Sequence, residues 1–184
     1  MNPEELKETS EKAHEKGQKK IGLTTAITAV LLAIATLLGH RAHTEEITLQ
    51  GDRNTQWVNY DTKTVRASVY DSDSKLATLL PGGKETADGL SEKAKAEREG
   101  EPERNGKPAR QGADKIREKA QEYDAEFKLT HRRADFYDSS ELFLEISIVL
   151  CAIALLAEAK IYWQLSFVTT AIGIGVALWG WFLH

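Results

Sequence analysis

The sequence predicts an all-α integral membrane protein with three transmembrane helices and an extramembrane antiparallel helical hairpin, a coiled-coil-like stalk. Three observations predict it. Ile21 to Gly39 holds no charged residue over 19 positions, which at about 1.5 Å per residue spans roughly 29 Å, the hydrocarbon thickness of a bilayer. Two further apolar blocks, Leu142 to Ala157 and Ile161 to Leu183, are separated only by Glu158, Ala159 and Lys160. Between the first block and these two lies a polar stretch in which apolar residues return every three or four positions, the period of a helix with one packed side. The average composition hides this layout: 24 basic residues against 28 acidic give a net charge of −4, with 41% hydrophobic residues. Four Pro and one Cys exclude collagen-like and disulfide-framework chains, and near-neutral charge gives no reason to expect nucleic acid as a partner.

Residues 1–20 form a polar N-terminal segment with five Glu beside five Lys. That balance, the length of the apolar run and the lack of a small-x-small site argue against a signal peptide, so 21–39 reads as an uncleaved span. Residues 40–80 continue the helix as a first stalk arm, since Thr44 to Leu80 contains no Pro and a single Gly. Val58, Val65, Val69, Leu76 and Leu79 fall on a heptad-like seam there, shared with Thr62 and Ser72. Pro81-Gly82-Gly83 ends the arm. Within the charged loop 81–112, Lys84 to Gly112 alternates Lys or Arg with Glu among Gly and Pro. It has too little apolar surface to offset chain entropy, and is expected to be mobile, or helical only in pieces.

Residues 113–140 form the second stalk arm. Ile116, Ala120, Tyr123, Phe127, Thr130, Ala134 and Tyr137 follow one another at spacings of 4, 3, 4, 3, 4 and 3, and the series continues to Glu141 and Ile148. Residues 141–157 are the second span, 158–160 a tight turn and 161–183 the third span. Glu145 sits one turn inside the second span, where a charge is expected to face another helix or snorkel to the interface. Phe136, Tyr137, Trp179, Trp181 and Phe182 mark one predicted interface, and Tyr162 and Trp163 the other. Both arms begin and end at one membrane face, so they run antiparallel if they pair; arms of this length project roughly 40 to 55 Å. Lys16, Lys19, Lys20 and Lys160 favour a cytoplasmic N-terminus and a periplasmic stalk.

The run TTAITAVLLAIATL of the first span, the polar stretch TEEITLQGDRNTQWVNYDTKTVR and the closing pair of apolar spans resemble a bacterial membrane family catalogued as domain of unknown function 4337. The most specific portion is Gln56-Trp57-x-x-Tyr60-x-x-Lys63, which matches the family's Gln-Trp-x-x-Tyr-x-x-Lys pattern. The chain departs from the family at Glu158-Ala159-Lys160, where relatives carry a basic, often proline-bearing turn. The resemblance implies a multi-pass protein of the bacterial inner membrane and brings no activity with it.

Trp57, Tyr60 and Lys63 share one side of a helix and form a large rigid contact surface, either between subunits or against the second arm near Tyr123 and Phe127. Gly22, Ala26, Ala29, Ala33 and Thr36 make a stripe of small residues on the first span, and Thr169, Gly173 and Ala177 another on the third, the residue type that lets membrane helices approach closely. His40, His43 and Glu46 emerge where the first span ends, and topology brings Asp138, Glu141, Glu145 and His184 to the same interface. Imidazole with carboxylate is divalent-metal chemistry, but these are also ordinary polar anchors of helix ends, and the sequence predicts no metal. Cys151 lies mid-span among apolar residues, as a small core residue rather than a nucleophile. No catalytic triad spacing, phosphate-binding glycine loop or CxxC pair occurs, so neither enzyme activity nor a cofactor is expected. The reading is a membrane scaffold or accessory subunit that works by helix packing, with the lipid bilayer, further copies of itself or a larger membrane complex as partners. The alternative is a pore-forming or ion-conducting oligomer in which Thr24, Thr25, Thr28 and Glu145 face water.

Overall fold

The computed structural model describes residues 3–103 and 109–183, with side chains from residue 15 onwards. The described chain is almost wholly helical: α1 (Pro3–Ala77), α2 (Lys84–Glu99), α3 (Ala113–Ala157) and α4 (Lys160–Phe182), with two-residue strands β1 (Gly100–Glu101) and β2 (Arg110–Gln111) paired antiparallel. Three helices are long and apolar enough to cross a membrane: α1, α3 and α4. The chain divides into two compact units, Met1–Glu45 with Leu129–His184, and Glu46–Lys128.

In the first unit α1, α3 and α4 pack together. The α3 repeat read from the sequence is its inward face here, with Ala134 and Tyr137 buried against Ala42, and Leu144, Cys151 and Ala154 continuing it. The turn between α3 and α4 is as tight as expected, without Gly or Pro. Glu158 takes φ 52°, the left-handed region, and Ala159 is extended ahead of α4. A non-glycine residue there costs on the order of 1–2 kcal/mol, accepted because two helices must reverse within two residues.

In the second unit α1 stops at Ala77 and a run of turns closes over it, with the Leu79 N–H donating to Leu76 O and the Leu80 N–H to Ala77 O, each at 3.1 Å. The break predicted at Pro81-Gly82-Gly83 lies in this turn. Gly82 has φ +77°, and a Cβ on Gly83 would fall 2.0 Å from Ala77 O, so a side chain at 83 cannot be fitted without opening the turn. The charged stretch that follows then forms one well-defined helical piece, α2. Alanines make this possible: Ala87 and Ala94, seven apart, are 3% and 0% exposed, so a mostly charged helix still buries one narrow stripe. The Ser74 Oγ donates to Ala87 O at 2.7 Å while Lys63 meets Glu97, so α2 returns antiparallel along α1. Gly100 and Gly112 bring the end of α2 against the start of α3: a Cβ on Gly112 would lie 2.3 Å from Arg98 O. The returning arm is therefore built from α2 and α3, with the β1–β2 pair between them, and starts earlier in sequence than 113.

The apolar seam read on α1 faces outward. Val58, Val65, Val69, Leu76 and Leu79 are 51–79% exposed, whereas Ala67 and Ala77 are 1% and 7% exposed. The inward face of α1 in this unit reads Arg53, Gln56, Tyr60, Lys63, Ala67, Tyr70, Ser74 and Ala77, alternating 3 and 4. The helix carries two heptad repeats on opposite sides. The apolar one is the more visible in sequence, but the polar, aromatic and small one is used inside the chain because α2 and α3 offer charges, an aromatic ring and a backbone carbonyl to meet it.

Gly83→Ala is expected to destabilise the protein by about 1–3 kcal/mol through the clash with Ala77 O. Gly89→Ala, at a mid-α2 position with open space around it, is expected to stabilise by about 0.5–1 kcal/mol through helix propensity. Thermal unfolding followed by circular dichroism in detergent checks the opposite signs.

Candidate functional site

In the first unit the residues at the helix contacts are small or hydroxylated. Ser140, Ser147 and Cys151 on α3 and Ser166 on α4 are all 0% exposed, and Thr28 on α1 is 1% exposed. Ser140 Oγ donates to Gly173 O at 2.8 Å, Ser147 Oγ to Ser166 O at 2.9 Å, and the Ser147 and Thr170 hydroxyls lie 2.7 Å apart. Cys151 Sγ is 3.3 Å from Ser166 Oγ, buried as the sequence expects of a packing residue. A Cβ on Gly173 would sit 3.0 Å from Leu144 Cγ and one on Gly180 2.9 Å from Phe136 Cβ, so α3 and α4 approach to a distance only glycine allows. Trp163 Nε1 donates to Thr24 Oγ1 at 3.2 Å and ties α4 to α1. Leu144 and Tyr137 apart, most of the large apolar residues point outward: Ile27, Val30, Ile34, Val149, Leu156 and Val168 are 51–86% exposed.

Gly173 thus lies at the α3–α4 contact and Ala177 is half-buried beside it, but the stripe on α4 runs Ser166, Gly173, Gly180, every seven residues rather than every four. On α1 the expected small residues lie elsewhere. Ala26, Ala29 and Ala33 are exposed, and Thr28, Ala35, Gly39 and Ala42 turn inward. The threonines named for a pore satisfy their hydroxyls on their own helix: Thr24 bonds Lys20 O, Thr25 bonds Ile21 O and Thr28 bonds Thr24 O at 2.9–3.0 Å.

The histidine and acid residues at the end of the first span separate into pairs. His43 Nε2 is 3.1 Å from Asp138 Oδ1, and Thr36 Oγ1 donates to Glu141 Oε1 at 2.8 Å. His40 and Glu145 are exposed and Glu46 is half-buried. His184 lies outside the described residues, and among those described no three His, Cys, Asp or Glu converge as metal ligands. These contacts tie α1 to α3.

In the second unit Trp57 and Tyr60 are half-buried and meet edge to face, ring centres 5.7 Å apart at 87°. Lys63 Nζ is 2.8 Å from Glu97 Oε2, with the two side chains 23% and 15% exposed. The third residue of the motif therefore anchors α2. Near Phe127 the contact is made instead by Arg53, whose guanidinium carbon stands 4.8 Å over the ring while Nε lies 3.4 Å from Asp124 Oδ1. Arg98 pairs with Asp71 on α1. Sequence reading misses Arg53, Glu97 and Arg98 because nothing marks one charge among many as partnered. The serines of α3 leave a readable signal: Ser140 and Ser147 stand seven apart, matching the interval of Ser166, Gly173 and Gly180.

Ser147→Ala removes two hydrogen bonds from the α3–α4 contact and is expected to cost about 1–2 kcal/mol, and Gly173→Leu more, because it forces the backbones apart. A double-mutant cycle on Lys63→Met and Glu97→Gln is expected to give a coupling of about 1 kcal/mol for a half-buried pair. Denaturant titration of the purified protein measures all three, and a zero coupling would show Lys63 and Glu97 to be independent.

No curated protein and no solved structure matches the chain. One protein family does, described as Domain of unknown function (DUF4337) and matching residues 17–183, nearly the full length, and the chain belongs to that family.

Proposed function

We propose that this protein is a non-enzymatic membrane scaffold or accessory subunit that acts through helix packing and self-association, in the inner membrane of a bacterium with its N-terminus cytoplasmic. The observation that carries the reading is the packing of the first unit, with hydroxyls, glycines and alanines beside Tyr137 and Leu144 inside and most large aliphatics outside. Water would penalise that surface by about 25 cal/mol for each Å² of apolar area left exposed, whereas lipid does not. Ala26, Ala29 and Ala33, exposed along α1, are the kind of surface on which a second membrane helix seats. On this reading the Glu46–Lys128 unit lies outside the hydrocarbon, consistent with its charged contacts.

The ion-conducting alternative draws no support from the threonine hydroxyls, each already bonded to a backbone carbonyl. A larger membrane complex as partner is separated from self-association by what co-purifies. The mass of the particle extracted in detergent or lipid discs tests the proposal. A multiple of the chain mass, or a defined complex holding the chain, is expected; a clean monomer would contradict it.

A further inference from the structure

Three surfaces of the molecule have no role in the contacts described so far: the exposed small residues of α1 in the first unit, the exposed Glu145 of α3, and the outward apolar seam of α1 in the second unit. The first is only a stripe of small residues, and Glu145 makes no ion pair among the described residues. The seam goes further.

Val58, Val65, Val69 and Leu76 on α1 and Leu79 in the turn just past its end, with Thr62 and Ser72 between them, follow a 4, 3, 4, 3, 4, 3 spacing, and every one is exposed. At about 100° per residue the seam lies roughly 160° around α1 from the face that meets α2 and α3. We infer that this seam pairs α1 of one copy with α1 of a second copy of the same chain, in parallel and in register, as a two-stranded coiled coil. The inference rests on the self-association reading above and states where and in what direction it occurs.

Three arguments select a second copy. A heptad seam is completed by another seam of the same repeat, and this one supplies it by symmetry. Two copies inserted alike in one bilayer are related by an axis normal to it, which sets their α1 helices parallel. Parallel pairing places the residue just before Thr62 and the residue just before Val69 opposite the residue five further on in the partner. Asp61 of one chain then meets Arg66 of the other, twice by symmetry, Ser68 meets Asp73, and no like charges face each other. The five aliphatic side chains, each half to four-fifths exposed, give on the order of 500 Å² per copy, near the roughly 1,000 Å² total that a specific interface requires. The borders of the seam hold Asp61 and Asp73 as well as Arg66 and Lys75, unlike the uniformly basic border of a helix that lies on anionic lipid. Thr62 and Val69 put β-branched residues at the position that favours two strands.

Single cysteines introduced into the full-length Cys151→Ser chain and oxidised in membranes test this directly. Val58→Cys, Val65→Cys and Leu76→Cys are each expected to give a disulfide-linked dimer, about tenfold or more above Thr64→Cys, which lies off the seam beyond bridging distance. Asp61→Arg is expected to reduce cross-linking at Val65→Cys, and adding Arg66→Asp to restore it. Cross-linking confined to Val69→Cys, near the middle of the seam, would mean antiparallel pairing and overturn the inference. A particle of two or more chains without seam cross-links would also overturn it while leaving self-association standing, whereas a monomeric particle would overturn both. Cross-linking of these positions to a different protein would replace the second copy as occupant.

Discussion

Close approach of helix backbones is the condition on which the first unit depends. On the proposed membrane reading, hydrocarbon offers apolar side chains no gain from meeting one another, so helices associate where small residues bring main chains into contact and hydroxyls find carbonyls across the gap. Gly173 and Gly180 provide the approach, and Ser140, Ser147 and Ser166 provide the bonds. Each hydrogen bond is worth little alone, but an unpaired buried hydroxyl would be costly, so the set also fixes the register of α3 on α4. The Trp163–Thr24 bond and the His43–Asp138 and Thr36–Glu141 pairs do the same for α1.

The second unit obeys a different constraint. It has charges and alanines in place of a large apolar core, and α1 meets α2 and α3 through Ala67, Ala77, Lys63 and Arg53 while keeping its valines and leucines outside. A helix that turns its more apolar side to solvent is under-partnered as a single chain. That imbalance, more than any individual contact, is what the proposed self-association would relieve.

Much of the fold was legible in the sequence. Three uncharged or nearly uncharged blocks, the 3-and-4 repeat from Ile116 to Tyr137, the Pro81-Gly82-Gly83 break and the short turn at Glu158 are strong local signals, and the structure uses each of them. What was not legible has two physical causes. Apolarity marks a face that wants a partner without saying which partner, so the Val58–Leu79 repeat shows in the sequence while the direction it faces does not. Charge marks solvent exposure without saying when two charges are paired, so α2 was hidden in a loop and Glu97 and Arg98 passed unnoticed. The motif Trp57, Tyr60, Lys63 was visible as a surface, but its partner at Lys63 is a helix that only the alanine pair Ala87 and Ala94 foretold.

The central claim is that the outward aliphatic surface of the first unit faces lipid. Spin labels at Ile34→Cys, Val149→Cys and Val168→Cys in reconstituted Cys151→Ser protein test it through their relative accessibility to oxygen, which concentrates in hydrocarbon, and to a water-soluble nickel chelate, which does not. Oxygen should dominate at all three positions and the chelate at Thr64→Cys. Chelate dominance at Ile34, Val149 and Val168 would put that surface in water and contradict the account.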